Sequence, residues 1–130
     1  MRKTLTIDGG AVYDIASFYD EINRVFMANE TWRLGQSLDA LDDLLRGGFG
    51  AIERREPVTI LWRDIEHSKA ALGRAATKRY YLSKLERPDL FNRELIQAKI
   101  NELEAGAGPS YFDIIIEIFS SHPNIVLRPE

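Results

Sequence analysis

The sequence predicts an α/β fold: a small three-stranded parallel sheet with flanking helices. Two stretches of β-forming residues, at 3–7 and 58–62, are separated by two amphipathic helical stripes, and a third, at 124–127, follows another such stripe. Apolar strands alternating with helices favour parallel pairing through right-handed crossovers. The length of 130 residues fits a single domain spanning 1–130.

Each element has its own signal. Lys3-Thr4-Leu5-Thr6-Ile7 alternates polar and apolar residues, and Asp8-Gly9-Gly10 turns the chain. Asp14 is placed to cap a helix whose stripe is Ile15, Phe18, Tyr19, Ile22, Val25 and Phe26, and Asn29-Glu30-Thr31 ends it. Ser37 caps a shorter helix with Leu38, Leu41 and Leu45 on one face, closed by Arg46-Gly47-Gly48. Val58-Thr59-Ile60-Leu61-Trp62 is a mostly apolar run suited to a strand covered on both faces, which makes it the central strand. Residues 74–103 are helical in composition and broken at Pro88. Gly106-Ala107-Gly108-Pro109-Ser110 interrupts the pattern. Ser110 then caps a stripe of Phe112, Ile115, Ile116 and Phe119, and His122-Pro123 ends that helix.

Composition excludes several classes of function. Hydrophobic residues make up 45% and charged residues 28%, the proportions of a folded globular chain. Apolar runs are too short to span a membrane. The acidic start after Met1-Arg2-Lys3 does not suit a secretory signal, and the chain has no cysteine; both fit the cytoplasm. The net charge of −3 is unevenly placed: residues 1–66 carry 12 acids and 8 bases, the remainder 8 acids and 9 bases. A net acidic chain is a poor general binder of nucleic acid.

No catalytic or metal-binding pattern stands out. His67 and His122 are the two histidines; neither falls in a metal-ligand spacing or beside a nucleophile in any motif. Gly47-Gly48-Phe49-Gly50 follows a helix and lacks the Lys-Ser/Thr of a phosphate loop, so it reads as a flexible cap and loop. The chain is therefore expected to have no catalytic residues, metal or cofactor. The unusual feature is Leu38-Asp39-Ala40-Leu41-Asp42-Asp43-Leu44-Leu45. Its leucines take one face, and Asp39, Asp42 and Asp43 gather on the other at i, i+3 and i+4, where like charges repel. Such a face is either simply solvated or held for a cationic partner.

At these residues the sequence resembles the barstar family of intracellular ribonuclease inhibitors. The family's Gly-Glu-Asn-Leu-Asp-Ala-Leu-Trp-Asp is matched by Gly35-Gln36-Ser37-Leu38-Asp39-Ala40-Leu41-Asp42-Asp43. Its strand ending Glu-Trp-Arg, followed by Phe-Glu-Gln-Ser-Lys, is matched by Leu61-Trp62-Arg63 and Ile65-Glu66-His67-Ser68-Lys69. The resemblance covers residues 1–73 and 111–127 and leaves a helical insertion at about 74–110. It implies a small three-stranded parallel sheet with helices. It also implies a partner, a ribonuclease whose basic, phosphate-binding active site is blocked by Asp39 and Asp43, with Gly35 and Ser37 as neighbouring contacts.

The sequence departs from the family at contacts that set the target. Asp42 replaces a tryptophan between the two aspartates, Arg33 and Leu34 replace two tyrosines with Trp32 left as an aromatic anchor, and Arg46 replaces a threonine. The acidic contact late in the last helix falls at Ser121. The expected contact surface is thus Trp32, Gly35, Ser37, Asp39, Asp42, Asp43 and Arg46. Two other readings compete with it. One is an interaction module with no nuclease target. The other is nucleic-acid binding through Arg74, Lys78, Arg79, Lys84 and Arg87 with Tyr80 and Tyr81 interleaved, against which Tyr81, Leu82 and Leu85 at helical spacing are expected to pack inward.

Overall fold

A computed structural model describes residues 3–87 and 92–130. Three strands form one sheet: β1 (Lys3–Asp8), β2 (Val58–Arg63) and β3 (Ile125–Pro129). The order is β1-β2-β3, both pairings are parallel, and Lys3 lies opposite Val58, which lies opposite Ile125. The run at 58–62 is therefore the central strand, as its apolar character requires. Between β1 and β2 come α1 (Ile15–Phe26) and α2 (Leu38–Arg46). Between β2 and β3 come α3 (Ile65–Ala71), α4 (Arg74–Leu85), α5 (Arg93–Glu104) and α6 (Tyr111–Ser120). The expected break at Pro88 lies outside the described residues. Among those described, no helix is long and apolar enough to cross a membrane.

Local chemistry accounts for the helix starts. Asp14 accepts a hydrogen bond from the Ser17 amide at 2.7 Å while Ser17 Oγ accepts from the Asp14 amide, a reciprocal box repeated at α6 by Ser110 and Asp113. The bonds from Ser17 hold the Asp14 carboxyl below its ordinary range. Ser37 caps α2 through the Ala40 amide, and Gly47 ends it at φ +89, a left-handed conformation open to glycine without a side-chain penalty. The loop beyond is anchored rather than flexible as the sequence suggested. The Ala51 amide donates to the Phe26 carbonyl at 2.8 Å, and Phe49 packs on Trp32.

The core lies on one face of the sheet. Val58, Ile60 and Trp62 of β2 and Ile7 of β1 are fully buried with Phe18, Ile22, Leu41, Leu44, Leu45, Tyr111, Ile115 and Phe119. Cover on both faces, expected of β2 from its sequence, is not found. The opposite face carries Thr4, Thr59 and Val126 side by side, of which Thr4 and Val126 are exposed and Thr59 is buried. A central strand hides its residues behind its two neighbours, so apolar composition reports centrality without reporting a second layer.

Trp62 joins the elements. Its ring packs on Phe18, Phe112 and Phe119 at centroid separations of 6.0, 5.8 and 5.7 Å. Its indole N–H donates to Ser68 Oγ at 3.0 Å, and that hydroxyl donates to the Gly9 carbonyl at 3.0 Å. A second buried polar pair ties α1 to α6: the hydroxyls of Tyr19 and Tyr111 are 2.7 Å apart. Burial pushes the Tyr19 phenol up to about 12 and Tyr111 further still.

Helices α4 and α5 pair through a second cluster, Tyr81, Ile96, Ile100 and Leu103, which meets the main core at Tyr80. Tyr81 is buried and Leu85 partly buried as expected, but Leu82 is 44% exposed. The buried face of α4 is instead completed by Ala76 and Thr77, with Thr77 Oγ1 accepting from the Tyr111 amide at 2.7 Å.

Two outcomes are expected. Replacing Ser68 by Ala strands a buried indole N–H and should cost about 1–3 kcal/mol in a urea melt; a loss under about 0.5 kcal/mol would remove the hydroxyl from the framework. The tyrosine pair is protonated well above the ordinary value, so its stabilising effect is complete below about pH 10 and is lost as pH rises toward 12. The urea midpoint should therefore fall more steeply above about pH 10 than in the variant carrying Tyr19→Phe and Tyr111→Phe.

Candidate functional site

The acidic face is placed by what lies beneath it. Leu41, Leu44 and Leu45 are fully buried, which fixes the rotation of α2 and turns Asp39 and Asp43 outward. The loop leading into α2 is held by a buried asparagine. Asn23 of α1 accepts from the Leu34 amide at 2.6 Å and donates to the Leu34 carbonyl at 3.1 Å and the Tyr19 carbonyl at 2.9 Å. That clamp satisfies both sides of the amide and delivers Gly35 and Ser37 to the surface at the start of α2. A Cβ at Gly35 would meet nothing within 4 Å, so the free fold does not require glycine there.

The three aspartates are not equivalent. Arg46 reaches back along α2 and pairs with both Asp42, at 2.8 Å, and Asp43, at 2.9 Å. The other oxygen of Asp42 meets His122 Nε2 at 2.7 Å. Asp39 is exposed, and its carboxylate makes no hydrogen bond or ion pair with the described residues. Mutual repulsion, expected from the spacing alone, is thus largely relieved by Arg46 at i+4 and i+3. Arg46, exposed, is thus directed at the aspartates of its own helix.

Two residues of this face escaped the sequence reading. His122, which looked like an ordinary helix-end imidazole, is buried and bonds α2 to the turn after α6. No local motif announces a pair eighty positions apart. Glu117, exposed on α6, lines a cleft of about 310 Å³ with Asp39 and Asp42. An acid therefore does face α2 from the last helix, one turn before Ser121, which lines the same cleft. A search for acids at i−4 from Ser121 would have found it.

The remaining expected contacts divide. Gly35 and Ser37 lie exposed beside the α2 terminus, and the Ser37 amide donates to the Gly35 carbonyl at 2.9 Å. Trp32 is 46% exposed with its ring 5.0 Å from that of Phe49. It lines a different cleft, with Asp20, Asn23 and Arg24, from the two of about 720 and 310 Å³ that Asp39 lines.

These contacts predict unequal stability effects. Asp43→Ala removes one exposed ion pair and adds a better helix former, so stability should move by no more than about 0.5 kcal/mol. Asp42→Ala deprives a buried imidazole of its partner and should cost about 1–3 kcal/mol. Urea melts of the two single variants check this; equal losses would mean that the His122 contact contributes nothing.

The family model described as Barstar (barnase inhibitor) matches residues 2–87, from β1 through α4. The matched span includes α2 and its acidic face, and it takes in α4, which the sequence resemblance had assigned to an insertion; α5, α6 and β3 lie beyond it. No curated protein matches the chain. Members of the matched family are inhibitors rather than enzymes. With the match covering well over half of the chain, on a three-stranded parallel sheet of the expected order, this protein belongs to the barstar family.

Proposed function

We propose that this chain inhibits a ribonuclease by seating the acidic face of α2 in the enzyme's basic, phosphate-binding active site, as an immunity protein or antitoxin does. The observation that carries the reading is Asp39: an exposed carboxylate without an ion-pair partner among the described residues, on a helix whose other face is locked in the core. A ribonuclease site must hold a phosphate with cationic donors. A carboxylate can satisfy those donors and offers no bond to cleave. Asp39, with Asp42 and Glu117 across the α2–α6 cleft, supplies that charge, while Asp43 on α2 and Gly35 and Ser37 before it are exposed. Trp32 forms an outlying apolar contact. The open space over Gly35 is consistent with a glycine kept for the approach of a partner and not for the fold.

Rigidity matters as much as charge. A carboxylate already oriented loses little freedom on binding, and opposite potentials accelerate the encounter. Arg46 works against both effects at Asp42 and Asp43, because a partner's cation must compete with a guanidinium already in place. Asp39 thus carries the largest share of the interaction.

The experiment is inhibition of barnase and of a panel of small basic bacterial ribonucleases by added protein. Inhibition of at least one is expected, with an association rate that falls as salt rises. Asp39→Ala should weaken that inhibition by a hundredfold or more, about 3 kcal/mol. Arg46→Ala should leave it intact or strengthen it several-fold. Failure to inhibit any enzyme of the panel would sink the reading.

A further inference from the structure

Asp42 lines two cavities. One is the acidic cleft that it shares with Asp39 and Glu117; the other, of about 250 Å³, is lined also by Arg46, Arg55 and His122. Its two oxygens are held from two elements. His122 Nε2, in the turn after α6, lies 2.7 Å from Oδ1, and Arg46 of α2 donates to Oδ2 at 2.8 Å. A carboxylate that accepts from a guanidinium on one oxygen accepts on the other as well, so the imidazole donates through its Nε2 proton.

The two holds differ in permanence. His122 is 8% exposed, and the turn that carries it is tied to the sheet on both sides. The His122 carbonyl accepts from the Ile125 amide at 3.0 Å, and the Asn124 carbonyl accepts from the Val58 amide at 2.9 Å. The Asn124 side chain donates to the Glu56 carbonyl at 3.1 Å, and Pro123 restricts the backbone of the residue before it. Arg46 has no such anchorage. Its side chain is 57% exposed on a long stem, and an exposed pair of this kind contributes little. A cation arriving from solvent can take Oδ2 from Arg46, while the imidazole behind Oδ1 stays where the turn holds it.

We propose that His122 is a positioning residue of the inhibitory face. It holds Asp42 by Oδ1 so that Oδ2 stays presented, and in the free protein Arg46 occupies the place that a partner's cation takes in the complex. The partner in this inference rests on the inhibitor reading; the anchoring of Asp42 does not. A carboxylate held from behind loses little freedom when it exchanges one cation for another. The same geometry makes Asp42 selective. Asp39 is open to any cation, whereas Asp42 rewards only one placed to displace the guanidinium of Arg46.

The test begins with the full chain, free and labelled with ¹⁵N. The ring Nε2 proton of His122, buried and bonded, should give a one-bond ¹H–¹⁵N signal, which His67→Gln leaves in place because His67 is exposed. The signal should persist in Arg46→Ala and vanish in Asp42→Ala. Its loss in Arg46→Ala would overturn the proposal, since the anchor would then depend on the residue it is meant to outlast. That arm needs no variant of His122, so it decides even where His122→Leu fails to fold. The second arm measures inhibition of a ribonuclease that the wild type inhibits, in the Arg46→Ala background. There His122→Leu should weaken inhibition about tenfold, and His122→Gln, which can still donate to the carboxylate, by less than about threefold. With Asp42→Ala also present, His122→Leu should have no further effect. A merely structural histidine would lower the urea midpoint alone, or weaken inhibition equally with and without Asp42, and either result overturns the proposal. If no enzyme is inhibited, the inhibitor reading falls and this inference with it; if inhibition stands but is indifferent to His122, the inference falls alone.

Discussion

Burying Trp62 is the constraint on which the rest of this structure depends. An indole at the middle of a three-stranded sheet can be hidden only if aromatic side chains arrive from both connections, and its N–H must find an acceptor inside. Phe18 comes from α1, Phe112 and Phe119 from α6, and Ser68 of α3 supplies the acceptor. Ser68 in turn donates to the Gly9 carbonyl at the exit of β1, so one chain of contacts crosses every layer near the sheet. Nothing larger than glycine fits at position 9, where a Cβ would stand 2.6 Å from Ser68 Oγ. The position of α2 follows, because its three buried leucines pack into the same cluster and leave the aspartates nowhere to face but outward.

A carboxylate-bearing helix fixed in this way differs from an ordinary solvated face in how little it can adapt. An acidic stretch on a loose segment would spread its charges on meeting a cation. Here the leucines set the rotation of α2 and the Asn23 clamp sets its entry. The asymmetry among the aspartates comes from Arg46 and His122. Together they occupy both oxygens of Asp42 and one of Asp43. The charge available to a partner is therefore concentrated at the N-terminal turn of α2, where the helix dipole already favours a carboxylate.

Most of the fold was legible because its signals are local. The stripe from Ile15 to Phe26, the Ser37 and Ser110 caps and the apolar run at 58–62 each declare an element without reference to distant residues. Two features failed for the same reason, that burial is decided by what packs overhead. β2 has the composition of a doubly covered strand, yet its second face is partly hidden only by its neighbours. Leu82 has the spacing of a core residue, yet α4 is rotated so that Ala76 and Thr77 lie inside. The site was legible as an acidic face and illegible as a circuit. The Arg46 pairs were available from helical spacing, but the His122 contact and the cleft with Glu117 both join residues far apart in sequence.

The net charge of −3 conceals the property that matters most for recognition. A weak overall charge leaves both steering and selectivity to how charge is arranged over the surface. In this chain both signs line one cavity, where Asp39 and Glu86 stand with Lys84 and Arg87. A bipolar surface of this kind rejects as well as attracts. A strongly basic protein gains at Asp39 and loses at α4, while an acidic one does the reverse, and only a surface carrying both signs in the complementary order gains at each. The departures at Asp42 and Arg46 put a charge where the family has a tryptophan and another where it has a threonine, and the two charges pair with each other at 2.8 Å. Family membership thus accounts for the fold and the helix that carries the aspartates, while the pairing of charges around that helix is this chain's own.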